Sequence, residues 1–164
     1  MKIATLGIII QDEKLLLGEK KKGEIGIGKL SGPGGKLEPY EGLEECLFRE
    51  TLEEFDVELK FPSLGGLRAI IDFYAADEID FRVYVYLAGI LSGEVHETDE
   101  MIPKWYPLDD LPFNEMYDAD RHWLPPLLRG EKFNAKVRYK KRGEGFIGIE
   151  FSEFVFIPPT SLVH

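Results

Sequence analysis

Three carboxylates, Glu50, Glu53 and Glu54, stand at positions i, i+3 and i+4 of a stretch free of Gly and Pro. In a helix, at about 100° per residue, Glu53 and Glu54 fall within about 60° of Glu50 and share its face. Like charges at this spacing repel each other, so the arrangement is mildly destabilising without a cation. Oxygen ligands clustered in this way suit a hard divalent ion, Mg²⁺ or Mn²⁺. The bland alternative is a solvated acidic face screened by Arg49. A second chemical feature lies upstream, where six glycines fall between Gly23 and Gly35 with Lys29, Ser31 and Pro33 among them. So much Gly defeats a regular element but lets backbone come close to a ligand. Lys20, Lys21 and Lys22 precede it and read either as a phosphate contact or as an ordinary solvated turn.

The acidic trio needs a helix to carry it, and Leu43 to Phe55 supplies one, with Pro39 and Gly42 punctuating the approach. Leu43, Cys46 and Leu47 flank Glu50 while Phe48, Leu52 and Phe55 lie opposite, so the helix is expected to be sandwiched between layers. Leu6 to Ile10 and Leu15 to Leu17, separated by Gln11-Asp12-Glu13, read as a tight hairpin of buried strands. Ile79 to Leu87 and Phe133 to Tyr139 alternate as strands. Ile147, Ile149 and Phe151 continue that period after Gly143-Glu144-Gly145, which predicts a C-terminal antiparallel hairpin. His122 to Arg129 reads as a short helix burdened by Pro125 and Pro126.

The 164 residues fit one domain, expected over 1–157 with a tail at 158–164. Twenty Lys and Arg against thirty Asp and Glu give a net charge of −10, which argues against a nucleic-acid polymer or an anionic membrane as partner. The single Cys46 excludes an intramolecular disulfide. Met1 to Ile8 reads as a strand rather than a leader, and no run approaches the ~20 apolar residues of a membrane span. The expectation is a cytoplasmic protein whose partner is a small molecule; the sequence is silent on protein partners.

Gly35, five residues, Glu41, seven residues, Arg49-Glu50, two residues, Glu53-Glu54, one residue, Asp56 and then Val57 nearly reproduce the Nudix box, and the chain resembles the Nudix hydrolases. Two positions depart: Thr51 replaces an aliphatic residue, and Asp56 replaces the helix-ending Gly, removing the easy left-handed cap. The resemblance implies a Nudix α/β fold, an α/β/α sandwich with a mixed, partly antiparallel sheet. It implies cleavage of a diphosphate linked to another moiety, assisted by Mg²⁺ or, as a substitute, Mn²⁺. Glu50, Glu53 and Glu54 match the family's metal ligands, and one of the last two would activate water. Arg49 would orient the carboxylates, with Glu41 as a partner, while Gly34 and Gly35 would let backbone approach the metal and phosphates.

The runs Leu15 to Lys21, Gly32 to Lys36, Asp99 to Trp105 and Leu111 to Met116 extend the likeness to the oxidised-purine nucleoside triphosphate diphosphatases, which cleave 8-oxo-dGTP. By that resemblance Glu100 matches a further metal-site glutamate. Thr5, Lys20, Ser31, Pro33, Gly35, Lys36, Tyr117 and Asp120 fall in the substrate site, with Asp120 reading the purine edge and Tyr117 stacking on the base. Ala119 replaces a first aspartate, Ser31 an asparagine and Tyr117 an indole. The implied reaction yields a nucleoside monophosphate and pyrophosphate in nucleotide-pool sanitation. A diphosphatase of ADP-ribose, nucleoside diphosphate sugars or dinucleotides is the alternative, and a non-hydrolysing nucleotide sensor a further one.

Other motifs fail. Gly35-Lys36 is followed by Leu37, so there is no phosphate-binding P-loop, and Gly26-x-Gly28-x-x-Ser31 breaks the dinucleotide fingerprint. His96 and His122 lack a second histidine at metal spacing. Trp105 and Trp123 read as core, and Cys46 as a small buried hydrophobe.

Overall fold

The computed structural model describes residues 1–23, 26–63 and 66–159. In chain order the elements are β1 (Lys2–Gln11), β2 (Lys14–Lys20), β3 (Leu30–Ser31), β4 (Gly34–Lys36), α1 (Leu43–Phe55), β5 (Glu58–Lys60) and β6 (Leu67–Ala75). They continue with β7 (Glu78–Ser92), β8 (Met101–Pro107), α2 (Asp120–Leu128), β9 (Phe133–Lys141) and β10 (Glu144–Glu153), and a 3-10 turn lies at Phe113–Glu115. The strands run β10-β9-β6-β7-β1-β2-β3, while β4 pairs with β1, β5 with β7 and β8 with β2. The β1·β7 and β6·β9 pairs are parallel and the other pairs antiparallel, so the sheet is mixed.

The β1–β2 hairpin closes on Asp12 and Glu13, both left-handed at φ 51° and 61°, the conformation whose twist matches the flanking strands. The glycine-rich stretch forms only the short β3 and β4. Its glycines answer to contacts rather than to freedom alone: a Cβ on Gly34 would overlap the Thr5 carbonyl oxygen, and one on Gly32 that of Gly7. Such a loop can lie directly on β1 only without side chains at those points.

Both sheet faces are covered, so β7 buries side chains on either side of its alternation. Val85 joins Leu15, Leu17, Ile71 and the α2 residues Trp123, Leu124 and Leu127 in one apolar cluster. Tyr84 and Tyr86 join Ile9, Leu16 and the α1 residues Leu47 and Phe55 in the other. Each fully buried Leu or Phe contributes about 1.5–3 kcal/mol by leaving water. The two helices therefore lie on opposite faces, as the resemblance implied. α2 starts at Asp120, earlier than the sequence suggested, and keeps both prolines inside it.

Two local expectations fail or change. The helix α1 is not sandwiched: Phe48 and Leu52 are 40% and 52% exposed, and of the outer apolar stripe Phe55 alone is buried. Phe48 stacks on Phe61 at 5.4 Å instead of meeting another layer. The left-handed cap survives without glycine, because Asp56 itself takes φ 57°, ψ 41° and donates its N–H to the Leu52 carbonyl. Its carboxylate meets His96 Nε2 at 2.8 Å. At Thr51 the hydroxyl donates to the Leu47 carbonyl at 2.7 Å, which makes a buried polar group acceptable there. After β10, Ile157 still packs on the second cluster and its carbonyl accepts the Tyr84 hydroxyl. Of the tail expected at 158–164, residues 160–164 lie outside the described residues.

Candidate active site

The inner turns of α1 and the loop before it are organised by Arg49. Its Nε and NH2 donate to Glu41 at 2.7 and 3.0 Å, a two-pronged grip on one carboxylate. NH1 donates to Glu50 at 2.9 Å and, more weakly, to Glu53 at 3.5 Å, while NH2 also reaches the Lys36 carbonyl at 3.2 Å. Charge-assisted bonds of this kind fix geometry as well as energy. The guanidinium, followed by the Glu38 N–H, holds the Glu41 carboxyl down at about 2, against the pull of burial, so Glu41 is a permanent anion.

The three glutamates of α1 are not equivalent. Glu53 is exposed, Glu50 is half-buried, and Glu54 is only 4% exposed. Burial pushes the Glu54 carboxyl up to about 8; Glu50 and Glu100 reinforce the shift, while the Gly34 N–H and Lys20 oppose it. That N–H donates to Glu54 Oε1 at 2.9 Å, so one oxygen is fixed by backbone. Glu50 is likewise raised, first by burial and then by Glu53 and Glu100, against the bonds from Arg49. Gly35 lies flat on the Glu50 carboxylate, where any Cβ would overlap it.

Glu100 reaches this cluster from the loop before β8. Thr98 anchors that loop: its hydroxyl donates to the Glu54 carbonyl at 2.8 Å and accepts the N–H groups of Glu100 and Met101 at 3.2 and 3.3 Å. The Lys21 N–H donates to the Glu100 carbonyl, and Lys21 Nζ holds Glu97 and the Thr98 carbonyl. The sequence reading did not single out Thr98; a hydroxyl two residues before an expected ligand was the available signal.

Four carboxylates thus crowd one region, where Arg49 acts on Glu50 and Lys20 on Glu54. The charged forms of Glu50 and Glu54 are disfavoured by burial and by their acidic neighbours. This donor set fits a divalent cation, which would neutralise what the side chains do not. Among the described residues, no three His, Cys, Asp or Glu side chains already close into an ion cage. The fit is therefore one of chemistry, with the carboxylates open.

Adjoining Glu54 is a cavity of about 220 Å³ lined by Thr5, Lys20, Ser31, Gly34, Gly35 and Glu54 together with Tyr117, Asp120 and Trp123. Asp120 is 7% exposed, and burial pushes its carboxyl up to about 7 despite the Trp123 indole N–H, which donates to Oδ1 at 3.0 Å. Lys29 Nζ stands 5.8 Å from the centre of the Tyr117 ring. Most of the substrate residues expected from sequence therefore surround one cavity. Pro33 and Lys36 do not line it; their carbonyls accept the Gly7 N–H and Arg49 NH2 respectively. Glu41, Arg49, Glu50, Glu53 and Glu100 also lie off its lining.

Sequence reading missed a further part of the wall. Phe73, Phe81, Val83, Tyr139 and Arg142 line the cavity; Phe81, Val83 and Tyr139 read as ordinary strand positions, and Phe73 and Arg142 fell in no expected element. Trp123, expected in the core, is both core and lining. Ala119 is fully buried, and its N–H donates to the Tyr139 hydroxyl at 3.1 Å, so this position holds the start of α2 rather than offering a carboxylate. Cys46 is buried, its thiol pushed up to about 11 mainly by burial, which suits an inert hydrophobe.

The NUDIX domain model matches residues 1–127. The chain is 35% identical over 140 residues to the oxidized purine nucleoside triphosphate hydrolase of Danio rerio, covering 85% of this chain and 87% of that protein. It is 32% identical over 139 residues to the protein of the same name in Mus musculus, with the same two coverages. Among solved structures, the MutT protein from Bacillus halodurans superposes with a TM-score of 0.73 over 92% of this chain and 97% of that one, at 20% identity, which speaks to the fold. A box that folds as loop and helix, and relatives alike over most of their length, lead to one assignment: this chain belongs to the Nudix family and is a Nudix hydrolase.

Proposed function

We propose that the protein is a Mg²⁺-dependent nucleoside triphosphate pyrophosphohydrolase. It splits the α–β phosphoric anhydride with one water, giving a nucleoside monophosphate and pyrophosphate, and its favoured substrates are oxidised purine nucleotides such as 8-oxo-dGTP. The observation that carries this reading is the single cavity in which Glu54, Gly34 and Gly35 meet Asp120, Trp123 and Tyr117. Glycine backbone groups, and acidic groups once they hold a divalent ion, suit the phosphate end of a nucleotide; a carboxyl fixed by an indole beside an aromatic ring suits a base. The Danio rerio and Mus musculus relatives, whose names specify oxidised purine triphosphates, support the same substrate class.

Glu50, Glu53, Glu54 and Glu100 would hold the divalent ion, which when bound supplies charge neutralisation at the phosphates. Glu54 would take the proton of the attacking water, because it is the one buried carboxylate of the four and the Gly34 N–H fixes one of its oxygens, leaving the other to face the cavity side. Arg49 keeps Glu50 and Glu53 oriented through its anchor on Glu41. Lys20, on the cavity wall, would meet the phosphate chain. Asp120, near 7, can donate to a base acceptor when protonated or accept from a base donor when ionised. The work would be done in the cytoplasm as sanitation of the nucleotide pool, by a single domain over residues 1–157.

The test is a panel of normal and oxidised purine triphosphates, ADP-ribose, a nucleoside diphosphate sugar and a dinucleotide, each with Mg²⁺, Mn²⁺ or EDTA, with products resolved by chromatography. Monophosphate plus pyrophosphate from a purine triphosphate, lost in EDTA, is expected. Orthophosphate alone, or turnover confined to the diphosphate-linked compounds, would overturn the reading.

A further inference from the structure

The acidic half of the site lies within the part of the chain that the family model matches, residues 1–127. The cavity does not stop there: Tyr139, Arg142 and Gly143, all beyond that part, complete its wall. They belong to the β9–β10 hairpin. The pairing of β9 with β6 ends at Ala75 opposite Tyr139, so the tip from Lys140 to Gly145 extends past the β6 register, with β9 and β10 paired to each other. A two-stranded extension of this kind is marginal on its own and needs a tether.

Asp80, on β7, provides one. Arg142 Nε and NH2 donate to its two oxygens at 2.6 and 2.7 Å, a two-pronged pair whose carboxylate side chain is only 15% exposed. The guanidinium also stands 5.4 Å from the centre of the Phe81 ring, itself a cavity residue. Next along the tip, Gly143 is left-handed at φ 67°, and a Cβ there would be 3.1 Å from Tyr117 Cε1. The tip thus rests on the aromatic ring expected to stack on the base. At the root of the hairpin, the Tyr139 hydroxyl accepts the Ala119 N–H and the Tyr139 carbonyl accepts the Ala76 N–H.

We propose that the β9–β10 hairpin is the base-selecting wall of the cavity, and that the Asp80–Arg142 pair is the clamp that positions it. This rests on the reading of the cavity as a nucleotide site. Releasing the clamp lets the tip and Tyr117 move away from the base, while the phosphate end, built on β4 and α1, keeps its own contacts. Asp80 and Arg142 are positioning residues, and their loss falls on the choice of base.

The experiment compares the full chain with Asp80→Asn, Arg142→Gln, the milder Arg142→Lys, and the exchanged pair Asp80→Arg with Arg142→Asp, each checked for folding by circular dichroism. Binding of guanosine, 8-oxoguanosine and cytidine monophosphates is followed by tryptophan fluorescence, since Trp123 lines the cavity. In parallel, KM and kcat are measured for the triphosphates. The expected result is a purine-to-pyrimidine affinity ratio that falls about tenfold in either removal, carried by KM with kcat changed less than about threefold. Arg142→Lys should fall between, and the exchanged pair should recover most of the ratio. An unchanged ratio, an equal weakening for every base, or a protein without base preference would each overturn the proposal. Failure of the parent chain to hydrolyse any triphosphate would instead sink the proposed reaction, and the binding ratios would still judge the wall.

Discussion

Gly35 lies so close to Glu50 that a β-carbon on the glycine would overlap the glutamate carboxylate, which Arg49 holds from the other side at 2.9 Å. The neighbouring Gly34 is crowded by a different kind of atom, the Thr5 carbonyl oxygen in β1. A side-chain end can swing away, whereas a paired strand cannot. Gly35→Ala should therefore keep the melting temperature within about 3 °C while kcat falls at least about tenfold. Gly34→Ala should lower the melting temperature by more than 5 °C, with a cost on the order of 2 kcal/mol. Thermal melts and steady-state kinetics on both variants check this. Equal effects of the two on stability would show that the loop gives way at either position.

Glu54→Gln keeps a carbonyl oxygen to accept the Gly34 N–H but removes the proton acceptor and one anionic ligand. Turnover should fall by about 10³-fold or more, while nucleotide binding in the absence of divalent ion survives within about threefold. Single-turnover rates and a binding titration are the measurements. Turnover near that of the parent chain would remove Glu54 from the chemistry and leave Glu53 as the candidate.

Asp120 offers a test that needs no substrate. Its carboxyl sits near 7 in the folded protein because burial disfavours the anion, against an ordinary value of 3.8. Between those values the folded state binds the proton that the unfolded state has released, so stability falls as pH rises from about 4 to 7. The ceiling is on the order of 4 kcal/mol, three pKa units at about 1.36 kcal/mol each. Asp120→Asn can still accept the Trp123 indole N–H and carries no charge, so the stability gained over the parent should grow with pH across that window and level off above it. Urea unfolding at pH 4.5, 6 and 7.5 measures the difference. A difference independent of pH would mean that Asp120 is ionised in comfort where it lies.

What was legible in advance follows from range. The acidic trio and the β1–β2 hairpin are local, so residue order alone points to them, whereas Glu41 as the partner of Arg49 was implied only by the resemblance to the Nudix box. The same periodicity erred at Phe48 and Leu52, because a helical wheel counts apolar residues and not the layers available to cover them. It also could not grade Glu50, Glu53 and Glu54, whose different burial depends on Gly34 and Gly35 lying against two of them. The hairpin side of the cavity was invisible for a stronger reason. Arg142 and Asp80 are 62 residues apart, and they meet only because β9 returns parallel to β6 beside β7. The mate of Trp123 was hidden differently: at i and i−3, Asp120 is near in sequence, but nothing local says that the pair faces a cavity.

The Asp56 cap separates two ways of ending a helix. A non-glycine residue at φ 57° is strained, and glycine there would relieve it. Asp56 gives in exchange a hydrogen bond to His96, an exposed pair that raises the histidine pKa, with the Glu97 carbonyl assisting. For a base whose pKa is raised by folding, the associated stability is fully present below its unfolded value and fades as pH rises through the folded one. Asp56→Gly should thus be less stable than the parent near pH 5.5, where the pair is charged, and equal or more stable near pH 8.5, where the histidine is neutral and only the backbone relief remains. Melting temperatures at the two pH values read the change of sign, and in a His96→Gln background the effect of Asp56→Gly should become the same at both. A variant more stable at both pH values would show that the pair adds nothing and that Asp56 is tolerated at the cap only because an aspartate can take the left-handed conformation at modest strain.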